Sequence, residues 1–289
     1  ADFSLPAVIH SHGWIQLPPY RLHENQQGFS YIDHLPGGVI CRYDVSAEEG
    51  QILIRLDDSC PEDRVHEIKT RVAWMLALDQ DFSEFYQAAA QEPGLVHVIQ
   101  QKKGRLLRSA TIFEDVVKTI LTTKTAWSGT IRMVKNLIGE LGSPWETDPS
   151  RAAFPTSAAI ADTREAFLLD NVKLGYRAPY ILELARAQAS GELNLEVLKG
   201  TTLPTSQLMK QLLDIKGVGR YAAAHLLMFL GRYDAVPVDS WALKLVSREW
   251  HGGEQIGADE VNQAFQDWGK WKGLAFWFWN WKGLHPEEE

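Results

Sequence analysis

The chain of 289 residues allows one large domain or two ordinary ones, and 45% hydrophobic residues supply a sizeable core. A formal net charge of −8, from 29 basic against 37 acidic residues, excludes a uniformly basic nucleic-acid binder and makes the distribution of charge the question. No apolar run reaches the roughly 18 residues that span a bilayer and no signal-peptide core opens the chain, so a cytoplasmic protein without a membrane partner is expected. Cys41 and Cys60 are too few for a disulfide scaffold and lack zinc-ligand spacing.

Taken in order, Gly38–Tyr43 and Gln51–Leu56 carry strand signals on either side of the turn-like 46–50, which predicts a β-hairpin. Arg64–Leu78 then places Val65, Ile68, Val72, Met75 and Leu76 at helical spacing, so an antiparallel sheet with a packed helix is expected. The aromatic stretches His12-Gly13-Trp14 and Pro18-Pro19-Tyr20 read as packing. From Asp81 onward the pattern is helical, with breaks at Pro93-Gly94, 142–149, Pro155, Gly191 and 200–204. The expected fold is therefore mainly α with an N-terminal α+β part: an α+β domain over 1–100, then an all-helical domain over 101–289.

Charge is uneven along this plan. Residues 101–135 hold Lys102, Lys103, Arg105, Arg108, Lys118, Lys124, Arg132 and Lys135 against Glu114 and Asp115, while acid concentrates in 44–63 and in the tail Glu287–Glu289. A basic face of that kind can bind phosphates under an acidic total. Within it, Thr111 caps a helix carrying Ile112, Val116, Ile120 and Leu121, which leads to the loop Thr122-Thr123-Lys124-Thr125.

The most informative stretch is 212–250. A short helix ends near Ile215, the turn Lys216-Gly217-Val218-Gly219 follows, and a second helix runs from about Arg220 to Leu230, stopped by Gly231. This helix-hairpin-helix (212–231) is expected to use both glycines at positive φ, exposing bare amides that suit a phosphate at a helix N-terminus, with Lys216 and Arg220 adding charge. A Gly-bearing αα-turn serving only the fold is the plain alternative. Beyond it, Pro237-Val238-Asp239-Ser240-Trp241 places Asp239 where a helix over Ser240–Trp250 begins. An ordinary N-cap explains Asp239 equally well. The same position favours a negative charge that could stabilise a developing cation.

Hairpin, helix and Pro-Val-Asp together resemble the helix-hairpin-helix (HhH-GPD) DNA glycosylase superfamily, of the 3-methyladenine and 8-oxoguanine glycosylase type. The likeness extends to Gly104–Trp127, to Leu174–Ala187 and to the closing stretch Trp268–Trp279, and so covers most of 104–281. It implies base excision repair on double-stranded DNA by a monomeric enzyme, with Asp239 as the catalytic carboxylate. No cofactor and no iron–sulfur cluster are implied; a structural cation at the hairpin carbonyls occurs in relatives. The family's loop that wedges into the duplex falls on Lys124 and Thr125, although relatives place an amide or an apolar residue where Lys124 stands.

A flipped base needs aromatic faces. The resemblance places Tyr221 and Trp271 at two pocket tryptophans of the alkylpurine branch, with Trp241 and Phe276 beside them. Strand-cleaving members carry a lysine for Schiff-base chemistry where this chain has Tyr221, which implies a monofunctional hydrolase; Lys216 and Lys244 stand elsewhere. Phe276 and Asn280 replace the glutamine and phenylalanine with which the oxoguanine branch reads its base, and Trp241 replaces a histidine. The aromatic, polar-poor set suits a positively charged alkylated purine. Leu174-Gly175-Tyr176-Arg177 looks closer to the oxoguanine branch, which keeps that substrate as the alternative. A DNA-binding module without turnover is the alternative of another class, and Asp239, repulsive to phosphates, speaks against it.

Overall fold

The computed structural model describes residues 3–58 and 60–281; the acidic tail Glu287–Glu289 lies outside them. Four strands form an antiparallel sheet in chain order: β1 (Arg21–Leu22), β2 (Phe29–Leu35), β3 (Val39–Glu48) and β4 (Gln51–Leu56). The predicted hairpin is β3–β4, but β3 runs further than expected. Glu48 pairs with Gln51, so the turn shrinks to Glu49-Gly50, both at positive φ, the two-residue geometry that matches strand twist. β2, absent from the sequence reading, is buried along nearly its whole length and therefore lacks the alternation that marks a half-exposed strand.

A second unpredicted pair, β5 (Ser143–Trp145) and β6 (Asp148–Ala153), occupies what reads as a break, because Pro144 and Pro149 argue against strands. It packs on the main sheet through Ile32, Ile40, Trp145 and Ala153. The aromatic stretches near the N-terminus are packing, as expected: Trp14 and Tyr20 are buried, and their polar atoms bond Asp115 and the Arg108 carbonyl.

By packing, the chain forms two compact units, each drawn from separate stretches. One comprises Leu5–Asp79 and Arg105–Thr201, and so joins the sheet to the helices Ile112–Thr122, Trp127–Leu141 and Ala178–Ser190. The other combines Gln80–Gly104 with the described residues from Thr202 onward and contains the hairpin.

The basic stretch does not form one face. Arg108 and Lys118 are buried; Arg108 lies 4.3 Å from the Trp74 ring and Lys118 pairs with Glu114. Arg105 donates to the Ala77 carbonyl. Lys102, Lys124, Arg132 and Lys135 remain exposed. Periodicity inside a mostly apolar segment had no way to separate cations that neutralise buried carboxylates from cations that meet solvent.

Candidate functional site

The hairpin is built from helices Thr205–Leu213 and Arg220–Phe229. Between them Val218 tucks its side chain inward and donates its N–H to the Ile215 carbonyl at 3.0 Å. Gly217 takes φ 89°, the left-handed conformation that the turn requires. Gly219 does not share it: at φ −90° and ψ −178° it is extended and opens the second helix without a side-chain cap. A Cβ there would meet nothing within 4 Å, so neither its backbone conformation nor its packing requires glycine. The first amides of that helix have no intrahelical acceptor, and exposed Lys216 and Arg220 flank them.

Asp239 is the N-cap of helix Ser240–Trp250, as the sequence predicts. Its Oδ1 accepts the Ala242 N–H at 2.8 Å, its other oxygen has no hydrogen-bond partner among the described residues, and the residue is exposed. Asp239 also stands near Tyr221, whose phenol is pushed up first by burial and then by that carboxylate. The structure thus brings together Tyr221, in the first turn of the hairpin's second helix, and the carboxylate that opens the next helix.

The segment from Tyr233 to Asp239 is held from the far side. Gly273 donates to the Tyr233 carbonyl at 2.6 Å, and a Cβ on Gly273 would come within 2.5 Å of the Ala235 oxygen. Helix Lys272–Phe278 can therefore lie against this segment only with glycine at that position. Gly269, at φ 52°, makes the kink that sets its direction.

The aromatic residues divide into separate groups. Tyr221 leads to His225 one turn later, ring centroids 6.1 Å apart, and His225 packs on Trp277 at 5.1 Å and Phe229 at 4.6 Å. Burial alone lowers the His225 pKa to about 4, so the imidazole is neutral at physiological pH. His225 is missing from the sequence reading, yet its i, i+4 spacing from Tyr221 was the available signal. Trp271 instead stacks on Tyr233 at 5.7 Å and packs against Phe82 and Phe85; no ring contact joins it to Tyr221 among the described residues. It borders a cavity of about 420 Å³ with Gln80, Glu84, Arg232 and Lys270, and neither Asp239 nor Tyr221 lines that cavity.

Phe276 is a core residue, edge-on to Phe265 and Trp281 at 5.6 Å each, and its side chain is taken up by that packing. Trp241 is half-buried in the first turn after Asp239, with the Lys244 ammonium 5.7 Å from its ring. Lys124 and Thr125 belong to the sheet-bearing unit. Both are exposed on the loop after helix Ile112–Thr122, and Lys124 takes φ 47°. That loop is braced: the Thr123 carbonyl accepts from the Tyr176 hydroxyl at 3.0 Å and from the Arg177 guanidinium.

Residues 117–270, more than half of the chain, match the family described as the HhH-GPD superfamily base excision DNA repair protein. The chain belongs to this superfamily. It is 24% identical over 290 residues to the probable N-glycosylase/DNA lyase of Methanothermobacter thermautotrophicus, which covers 93% of this chain and 89% of that protein. To the DNA-3-methyladenine glycosylase of Bacillus subtilis it is 26% identical over 231 residues, 78% and 76% of the two chains. Among solved structures, the 8-oxoguanine glycosylase/lyase of Clostridium acetobutylicum, in complex with double-stranded DNA containing cytosine opposite 8-oxoG, superposes with a TM-score of 0.75. It shares 20% identity over 97% of this chain and 91% of that one, a likeness of fold. The turn at 214–219 is thus the helix-hairpin-helix of a base excision repair enzyme family, and the α+β-plus-helical architecture is that of the superfamily.

Proposed function

We propose that this superfamily member is a monofunctional DNA glycosylase, which hydrolyses the N-glycosidic bond of a flipped-out damaged purine in double-stranded DNA, most readily an alkylated purine of the 3-methyladenine type. The observation that carries the reading is Asp239, fixed through one oxygen to a helix N-terminus, with the other oxygen unengaged among the described residues and Tyr221 nearby.

Flipping the base costs a few kcal/mol, which phosphate contacts at the Lys216–Arg220 turn and at the Lys124–Thr125 loop would offset. As the bond to the base stretches, the deoxyribose takes on oxocarbenium character. The Asp239 carboxylate, anchored by the Ala242 amide at the helix N-terminus, stabilises that charge and positions the attacking water. The bond that breaks is C1′–N; water adds to C1′, its proton passes to Asp239 or solvent, and the base leaves with the electron pair. No cofactor enters the reaction so written. Tyr221 stands where a Schiff-base lysine would, so no strand-cleaving step follows.

A cationic alkylated base gains from neutral aromatic surfaces. The Tyr221–His225–Trp277 group supports that choice, because the imidazole buried behind Tyr221 is neutral and sets no repelling charge beside a cationic base. The brace of Thr123 by Tyr176 and Arg177, in the stretch that resembles the oxoguanine branch, favours oxidised guanine as the second reading.

The test is release of free base from methylated duplex by wild type and Asp239→Asn, with strand nicks scored before and after alkali. Wild type should free 3-methyladenine or 7-methylguanine, and Asp239→Asn should lose at least about 10²-fold in rate, the scale of one preorganised electrostatic contact. Nicks should appear only after alkali. An Asp239→Asn protein that releases base at the wild-type rate would refute the role of Asp239. Intact DNA binding with no release transfers the question to 8-oxoguanine duplexes, and failure there leaves a binding module.

A further inference from the structure

The sheet-bearing unit contains a cavity of about 690 Å³ that none of the chemistry above uses. Arg21 on β1, Lys135 on helix Trp127–Leu141 and Arg151 on β6 line it, and its lining contains no Asp or Glu. In a protein of net charge −8 that is an unusual concentration of one sign. Rigid walls come from Pro18, Pro19, Pro144 and Pro149.

We propose that this cavity is a second, lesion-independent site for the phosphodiester backbone of nucleic acid. Arg21, Lys135 and Arg151 have no carboxylate at ion-pair distance among the described residues, whereas neighbouring Arg42 is matched by Asp44 at 2.7 Å, an aspartate that also takes His23 at 3.0 Å. Arg151 is not free to swing away from its neighbours. Its Nη2 donates to the buried Ser30 hydroxyl at 3.0 Å, and its guanidinium lies 5.7 Å from the Trp145 ring, which Arg42 also approaches at 5.4 Å.

The consequence is strain between like charges. Burial first, then Arg21 and Arg42, lower the Arg151 pKa, and Asp148 and Asp44 offset this only in part. Asp148 is engaged with Ser150 through its backbone N–H at 3.2 Å and its hydroxyl at 2.6 Å. An anion in the cavity would relieve the repulsion. Opposing it is the C-terminal end of helix Trp127–Leu141, which contributes Ile138 and Gly139 to the lining. A helix end carries only about half a charge, against three full ones.

Size and spread select the anion. The cavity falls in the range of about 300–1,000 Å³ typical of ligand sites and exceeds what one phosphate fills. Its cations come from three elements in sequence-distant parts of the unit, which suits successive phosphates on a strand better than a single point charge.

The experiment measures binding of the full-length protein to an undamaged duplex across a salt series. The variants are Arg21→Glu/Lys135→Glu and, should charge reversal disturb the fold, Arg21→Gln/Lys135→Gln; both positions are exposed and melting is checked in parallel. Each phosphate contact contributes about 0.9 to the slope of log K against log salt, so the slope should fall by about two and affinity by about tenfold at low salt. The same decrement in an Asp239→Asn background keeps the result independent of base release. An unchanged slope overturns the proposal. So does a melting rise with inorganic phosphate or a mononucleotide that the variants abolish while duplex binding is untouched, which would mark a pocket for small anions.

Discussion

Two helices of this protein open on carboxylates and use them in opposite ways. At Ile112–Thr122, Thr111 is the cap and Glu114 and Asp115 follow inside the first turn, all but sealed from water. Glu114 accepts from the Tyr31 hydroxyl at 2.6 Å and pairs with Lys118 at 2.6 Å, while Asp115 accepts the Trp14 indole at 2.8 Å and the Ser109 N–H at 3.0 Å. At Ser240–Trp250 the carboxylate is the cap itself, exposed, with one bond. Burial makes a carboxylate a structural part that must be matched; exposure with a single anchoring amide leaves an oxygen for a substrate.

The comparison breaks most sharply at Lys118. Its side chain is fully buried against a Glu114 only 3% exposed, so Lys118→Met strands an uncompensated charge. That should cost about 3–5 kcal/mol, whereas Lys118→Met with Glu114→Leu, which removes both charges, should recover much of it. Thermal unfolding of the three proteins decides the matter; a single variant as stable as wild type would mean that Glu114 takes up a proton instead. By contrast, Asp239→Ala removes only a cap and should cost about 1 kcal/mol.

Acid separates the two regions next. His225, beside Tyr221, has its folded pKa lowered from 6.5 to about 4, so the unfolded chain takes up a proton first as pH falls. Stability is therefore lost from about pH 6.5 down to about 4, by about 3 kcal/mol at 1.36 kcal/mol per unit. Asp115 runs the other way. Burial raises its pKa from 3.8 to about 6, so its contribution is present below 3.8 and lost as pH rises through 6. A His225→Phe protein should therefore gain on wild type as pH drops through this window, and Asp115→Asn should gain as pH rises. Parallel pH curves for wild type and His225→Phe would remove the neutral imidazole from the argument.

Legibility in the sequence follows the same division. The Ser240–Trp250 helix and its Asp239 cap are readable because capping is local, written in adjacent residues, and the hairpin is readable because Gly217 and Gly231 punctuate it. β2 and the β5–β6 pair are not: one is buried on both faces and the other is interrupted by prolines, so neither alternates. The basic stretch misleads for a related reason: the rings beside Arg108 and Lys118, Trp74 and Tyr20, come from remote stretches, and the i, i+4 pair of Lys118 with Glu114 reads the same in sequence whether buried or exposed. Aromatic spacing near the C-terminus predicts burial well and destination badly. Phe276 and Trp271 sit five residues apart yet belong to different clusters, because at about 3.6 residues per turn a helix aims residues five apart to different sides.

The smallest expected effect tests whether the hairpin belongs with the exposed, working end of the comparison. Gly217 and Gly219 read alike in sequence and differ in the fold. Gly217→Ala forces a Cβ into φ 89°, costing about 1–2 kcal/mol. Gly219→Ala meets no steric obstacle, so its stability should stay within about half a kcal/mol of wild type. Its new methyl nevertheless stands at the uncapped amides that open helix Arg220–Phe229. Duplex affinity should therefore fall several-fold in Gly219→Ala with melting unchanged. If Gly219→Ala binds duplex as wild type does, those amides do not hold a phosphate. The turn would then be a device of the fold alone, and DNA contact in this unit would rest on the side chains of Lys216 and Arg220.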